Sequence, residues 1–131
     1  MFEREINLIG EDNYLKLKNS NILVIGVGGV GGYAVETLIR SGIENITLVD
    51  YDNIDISNIN RQVIALSSNI GNSKVEEFKK RILSINSNVK VKTIKEKINE
   101  DNIGLLFEED YDYIIDACDP MIVKKLFIKI C

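Results

Sequence analysis

The chain has 131 residues, of which 45% are hydrophobic and 27% charged, with a formal net charge of −4. That length and balance argue for one soluble globular domain that buries roughly two-thirds of its unfolded surface. The chain holds no histidine and two cysteines, Cys118 and Cys131, which excludes Ser–His and Cys–His nucleophile pairs, histidine metal sites and a four-cysteine zinc site.

The first five residues, Met1-Phe2-Glu3-Arg4-Glu5, lack the basic and apolar regions of a signal peptide. The apolar run over 22–27 is too short to span a bilayer. Two distant cysteines suit a reducing compartment, so a cytoplasmic location is expected. Residues 1–20 read as a short helical extension, with Tyr14, Leu15 and Leu17 packing on the domain that starts at Asn21.

Ile22-Leu23-Val24-Ile25-Gly26 is a continuous apolar run, as expected of a strand buried on both faces. A glycine-rich turn follows, and 30–40 reads as a helix with Ala34, Leu38 and Ile39 inward and Gly42 as its stop. Ile46-Thr47-Leu48-Val49-Asp50 is the second strand. Ser73 and Glu76 have capping-box spacing, and Val75, Phe78, Ile82 and Ile85 mark one face of the helix that follows. The alternation over 89–94 predicts a strand near a sheet edge. Asn99 is expected to cap a short helix through Phe107. Residues 113–117 read as another buried strand, and Pro120 suits the first turn of a final apolar helix. Strands alternating with helices predict a three-layer α/β domain, Rossmann-like, with a mainly parallel sheet and right-handed crossovers. The uncapped apolar end over 121–131, and a last buried strand left at a sheet edge, suggest the N-terminal part of a longer protein.

Gly26-Val27-Gly28-Gly29-Val30-Gly31 follows a strand and opens a helix. Gly26, Gly28 and Gly31 fit the dinucleotide-binding spacing, in which the glycines serve a tight turn, close approach of phosphate, and helix–strand packing. Free amides at the helix N-terminus suit an anion. Asp50 ends the second strand 19 residues after Gly31, where a carboxylate can accept hydrogen bonds from ribose hydroxyls; Asp52 is its near competitor. These features leave an NAD-dependent oxidoreductase and an ATP-using enzyme both open. The segment Ser57-Asn58-Ile59-Asn60-Arg61-Gln62, with Lys74 13 residues beyond Arg61, favours the second. Arg61 and Lys74 converging on a triphosphate would neutralise charge on a transferred phosphoryl group. Asp119, just after the last strand, sits where open α/β sheets bind ligands and could hold a magnesium ion.

At these residues, with Asp50-Tyr51-Asp52 and Ile115-Asp116-Ala117-Cys118-Asp119, the chain resembles the adenylation domain of ubiquitin-activating-type enzymes, the superfamily of the ThiF, MoeB and HesA proteins. The wording of the motifs is most similar to the tRNA threonylcarbamoyladenosine dehydratase branch. The resemblance implies an ATP-binding adenylation domain over 21–131, truncated at its C-terminus. It implies that Gly29 and its neighbours contact the phosphates of ATP, that Asp50 holds the ribose, that Asn58, Arg61 and Lys74 bind and polarise the triphosphate, and that Asp119 binds Mg²⁺. Arg4 matches an arginine that in this superfamily reaches the partner subunit's ATP, which implies a homodimer. The implied substrate is a modified tRNA, or else the C-terminal glycine of a ubiquitin-like sulfur carrier. Pro120 stands where several relatives have Asn, and Cys118 and Cys131 are expected to pack rather than to act as nucleophiles. The charged segments 90–97 and 124–129 read as solvated faces rather than tRNA contacts.

Overall fold

The computed structural model describes residues 1–117. Cys118, the expected metal ligand Asp119, Pro120 and the expected helix over 121–131 lie outside the described residues.

The apolar runs become parallel strands. They are β1 (Asn21–Ile25), β2 (Asn45–Val49), β3 (Lys90–Ile94) and β4 (Tyr113–Asp116), in the order β3-β2-β1-β4. All three pairings are parallel, and Ile25, Val49 and Ile94 stand in register with Asp116 at one edge. The carboxyl ends therefore open on the same side, where the loops after β1, β2 and β3 meet.

Side chains alternate across the pleat, and the two faces bury different partners. Ile22, Val24, Ile46 and Leu48 pack against helices α3 (Gly29–Arg40) and α4 (Lys74–Ile85), chiefly Val35, Ile39, Phe78 and Ile82. Leu23, Ile25 and Val49 face Ile98, Ile103 and Leu106 on the other side. The second layer is thus a 3-10 segment, Ile103–Glu108, rather than an α-helix. Asn99 does accept hydrogen bonds from the Asp101 and Asn102 amides, but they close the turn that leads into that segment. On α3 the buried hydrophobic side chains are Val35 and Ile39, beside the buried Gly31 and Gly32, whereas Ala34 and Leu38 are half-buried. β4 lies at a sheet edge among the described residues and is half-exposed, unlike the buried strand expected there.

The capping box at α4 does not form. Ser73 takes the cap position, but its Oγ is buried with no partner among the described residues. Glu76 accepts instead from Thr93 Oγ1 of the neighbouring edge strand, at 2.7 Å. The N-terminus of α4 therefore keeps amides that no side chain caps.

The chain before β1 forms two short helices, α1 (Glu3–Ile9) and α2 (Glu11–Asn19). Leu17 packs on the main core, and the Tyr14 ring lies against Gly42 and near Phe2. Leu15 is 43% exposed and does not share in that packing. Burial, then the Glu44 and Glu5 carboxylates, push the Tyr14 phenol above its ordinary range. Among the described residues no helix is long and apolar enough to cross a membrane.

Candidate functional site

The carboxyl edge of the sheet surrounds a cavity of about 560 Å³. Its walls come from five places in the chain: the glycine turn after β1, the loop after β2, the start of α4, the loop after β3, and Ala117 just after β4. This is the edge at which open α/β sheets bind ligands.

Gly26 turns the chain at φ +87°, a left-handed conformation suited to glycine, and its amide donates to the Val49 carbonyl at 2.8 Å. Gly28 is the N-cap of α3 and makes no side-chain cap bond. The first turn of α3 thus presents backbone N–H groups and the positive end of its dipole towards the cavity. Gly28 and Gly29 line the cavity; Gly31 does not. A Cβ on Gly31 would meet the Gly26 carbonyl carbon at 2.8 Å and Ala117 at 3.2 Å, so its place is in helix–strand packing.

Asp50 is half-buried and already committed to the backbone. Its Oδ2 accepts from the Val27 amide at 3.0 Å and its Oδ1 from the Asp52 amide at 2.8 Å. It ties the glycine turn to the loop after β2, and each oxygen keeps a lone pair for a ligand hydroxyl. Asn58 is buried, and its Oδ1 accepts from the Asp55 amide at 2.8 Å within a 3-10 turn, Ile56–Asn58. That leaves its amide nitrogen as the group it can offer. Asp55 closes the same turn, and the Ser57 amide, its strongest influence, holds the Asp55 carboxyl below the ordinary range.

Two of the expected residues that line the cavity are cations. Arg61 is exposed, and its Nη1 donates to the Ser57 carbonyl at 2.8 Å and to Asn60 Oδ1 at 3.2 Å. Lys74 is 5% exposed at the first position of α4. A buried cation at the positive end of a helix opposes both desolvation and the dipole, so its placement costs stability and calls for an anion. Gln62 is 8% exposed, lines the cavity, and has an Oε1 with no partner among the described residues. A cradle of uncapped amides and a buried lysine fits a phosphorylated ligand, and the unpaired Gln62 Oε1 is an acceptor left for a donor group such as a ligand hydroxyl.

The expected residues Gly26, Gly28, Gly29, Asp50, Asp52, Asn58, Arg61, Gln62 and Lys74 all line this one cavity. Arg4 does not; it lies on α1 beside a separate hollow with Phe2, Glu5 and Arg40. Among the described residues no cluster of three or more His, Cys, Asp or Glu is placed to hold a metal, and Asp119 is outside them. The structure adds Tyr51, Glu96, Lys97 and Ile98, which line the same cavity. The Lys97 Nζ sits 5.6 Å from the centre of the Tyr51 ring, close enough for a cation–π attraction. The position of 96–98 directly after a parallel strand was the signal that would have found them.

Residues 2–131 match the ThiF family. The chain is 43% identical over 130 residues to the tRNA threonylcarbamoyladenosine dehydratase of Bacillus subtilis, covering 99% of this chain and 51% of the relative. It is also 43% identical over 117 residues to an adenylyltransferase and sulfurtransferase of Vanderwaltozyma polyspora, covering 89% of this chain and 27% of the relative. The crystal structure of the E. coli tRNA N6-threonylcarbamoyladenosine dehydratase TcdA in complex with ATP superposes with a TM-score of 0.96 at 37% identity, over 99% of this chain and 54% of that one. The chain spans about half the length of the dehydratases that it matches. From its motifs, its fold and these likenesses, the chain belongs to the ThiF family.

Proposed function

We propose that this chain supplies the ATP-binding part of a carboxylate-adenylating enzyme that dehydrates threonylcarbamoyladenosine in tRNA. The observation that carries the reading is Lys74, buried at the start of α4 in the same cavity as the uncapped glycine turn, Arg61 and Asp50. Residues 21–131 would form the adenylation domain and residues 1–20 an extension that carries Arg4 towards the site of a second copy in a homodimer. The setting would be the cytoplasm. The dehydratase relatives and the ATP complex of TcdA support the substrate and the nucleotide.

In this reading the α3 amides near Gly28 and Gly29 bind phosphate oxygens, and Asp50 accepts from the ribose hydroxyls. Arg61 and Lys74 neutralise the β- and γ-phosphates. Asp119 would hold Mg²⁺, which supplies further charge neutralisation across the phosphates. The threonyl carboxylate attacks the α-phosphorus, and the bond to the bridging oxygen breaks as pyrophosphate leaves. The neighbouring carbamoyl oxygen then attacks the activated carbonyl carbon and displaces AMP, so the nucleoside loses one water overall. The protein's share is positioning and electrostatic stabilisation, for which no histidine is needed.

The second reading is activation of the C-terminal glycine of a ubiquitin-like sulfur carrier, supported by the V. polyspora relative. One experiment separates the two. The full-length protein is incubated with Mg²⁺-ATP and threonylcarbamoylated tRNA, and the digested nucleosides are weighed by mass spectrometry. Loss of one water that depends on ATP and on Arg61 is expected. ATP binding without that loss would turn the assignment to a sulfur carrier.

A further inference from the structure

We propose that Asp52 is the resting counter-ion of Lys74 and sets how tightly the site holds pyrophosphate. The inference rests on the adenylation reading above. The Lys74 Nζ lies 3.6 Å from Asp52 Oδ2, with the lysine side chain 6% exposed and the aspartate 49%. Among the described residues Asp52 is the carboxylate at ion-pair distance from Lys74.

The two backbones are locked together while the two side chains are not. The Asp52 amide donates to Asp50 Oδ1 at 2.8 Å, and the Asp52 carbonyl accepts from the Lys74 amide at 3.2 Å. The side-chain separation of 3.6 Å exceeds that of a tight charge-assisted hydrogen bond, about 2.7–2.9 Å. Lys74 is therefore held near an anion without being fixed to it. Its own burial and the α4 dipole make some anion obligatory. Asp52, half in water, can give up its partner at small cost.

The charges around the cavity are Asp50, Asp52 and Glu96 against Arg61, Lys74 and Lys97. Asp50 is occupied by two amides, so Asp52 is the carboxylate that competes directly for Lys74. An entering triphosphate outbids one carboxylate by charge. Once pyrophosphate is cut free, Asp52 reclaims Lys74 and loosens the site's hold on the leaving group.

The test is calorimetric titration of the full-length protein with inorganic pyrophosphate, ATP and AMP in separate runs. Asp52→Asn should bind pyrophosphate about fivefold more tightly, with AMP affinity unchanged. The gain should vanish when Lys74→Gln is added. Asp52→Ser, which keeps an oxygen without the charge, should behave as Asp52→Asn does and serves if the amide variant fails to fold. Unchanged or weaker pyrophosphate binding in a variant, a gain that survives Lys74→Gln, or an equal gain for AMP would overturn the inference while the wild type still binds ATP. A wild type that binds neither ATP nor pyrophosphate would overturn the adenylation reading and this inference together.

Discussion

A Cβ on Gly31 would lie 1.7 Å from the carbonyl oxygen of Gly26. Backbone meets backbone there, because α3 starts directly against the end of β1, and no side-chain rotation relieves the overlap. Gly31→Ala should therefore cost at least about 3 kcal/mol of folding stability, read from urea melts. Gly29→Ala is the contrast. Among the described residues its added Cβ would meet only the Arg61 carbonyl, at 3.9 Å, so stability should change by less than about 0.5 kcal/mol while ATP affinity falls. Equal stability losses in the two variants would show that the turn, rather than helix–strand contact, sets the requirement.

Lys74 should trade stability for binding. Lys74→Met keeps the aliphatic stem in its buried place and removes a cation from the positive end of α4. The Asp52 side chain left behind is 49% exposed and returns to water at little cost. Thermal stability should hold or rise by about 1 kcal/mol, and ATP should bind at least about tenfold more weakly. A variant that melts earlier and binds ATP normally would make Lys74 a structural residue.

The parts of this molecule that were legible in the sequence are those written in local pattern. The strand–turn–helix around Gly26–Gly31 and the helix face of Val75, Phe78 and Ile82 follow from periodicity and spacing, and the fold places them as expected; Arg61 and Lys74, read from their spacing as a pair for a triphosphate, line one cavity. The misreadings have a common cause in tertiary competition. Glu76 had the right spacing for a capping box but found Thr93 on a strand 17 residues away. Leu15 belongs to a helix whose inward contacts are made by Tyr14 and Leu17. Lys97 carries no motif, and Tyr51 stands in the Asp50-Tyr51-Asp52 string without a role of its own there; the parallel register of β2 and β3 brings their loops to one edge.

Arg61 bears almost no structural load. It is exposed, and among the described residues its guanidinium donates within its own turn, to Ser57 and Asn60. Arg61→Ala should shift stability by less than about 0.5 kcal/mol and abolish adenylate formation, measured as ATP-dependent loss of water from the tRNA nucleoside. Arg61→Lys should recover little, because a point charge does not reproduce the planar fork that grips two phosphate oxygens. Full activity in the alanine variant would remove Arg61 from the site.

Glu36 joins the two helices behind the site and should make stability pH-dependent. It sits on α3 and accepts from Arg81 of α4 in a bidentate grip, at 2.7 Å to Nε and 3.0 Å to Nη2, and from Arg40 Nε at 2.9 Å. The Arg81 hydrogen bonds are the main cause that holds the Glu36 carboxyl below its ordinary value; burial opposes them, and Arg40 adds to the lowering. A carboxyl lowered in the folded state contributes stability above its unfolded pKa, about 4.3 for glutamate, and loses it as pH falls through the folded value. Glu36→Gln should therefore cost about 1 kcal/mol at pH 7, a modest figure because Arg40 and Arg81 are partly exposed. Urea melts of wild type and variant at pH 7 and at pH 3 give the comparison. The gap should narrow at pH 3, which lies below the unfolded pKa of glutamate, where the stability that comes from a lowered folded pKa is being lost. A gap of the same size at both pH values would mean that the loss comes from packing between α3 and α4 rather than from the ion pair.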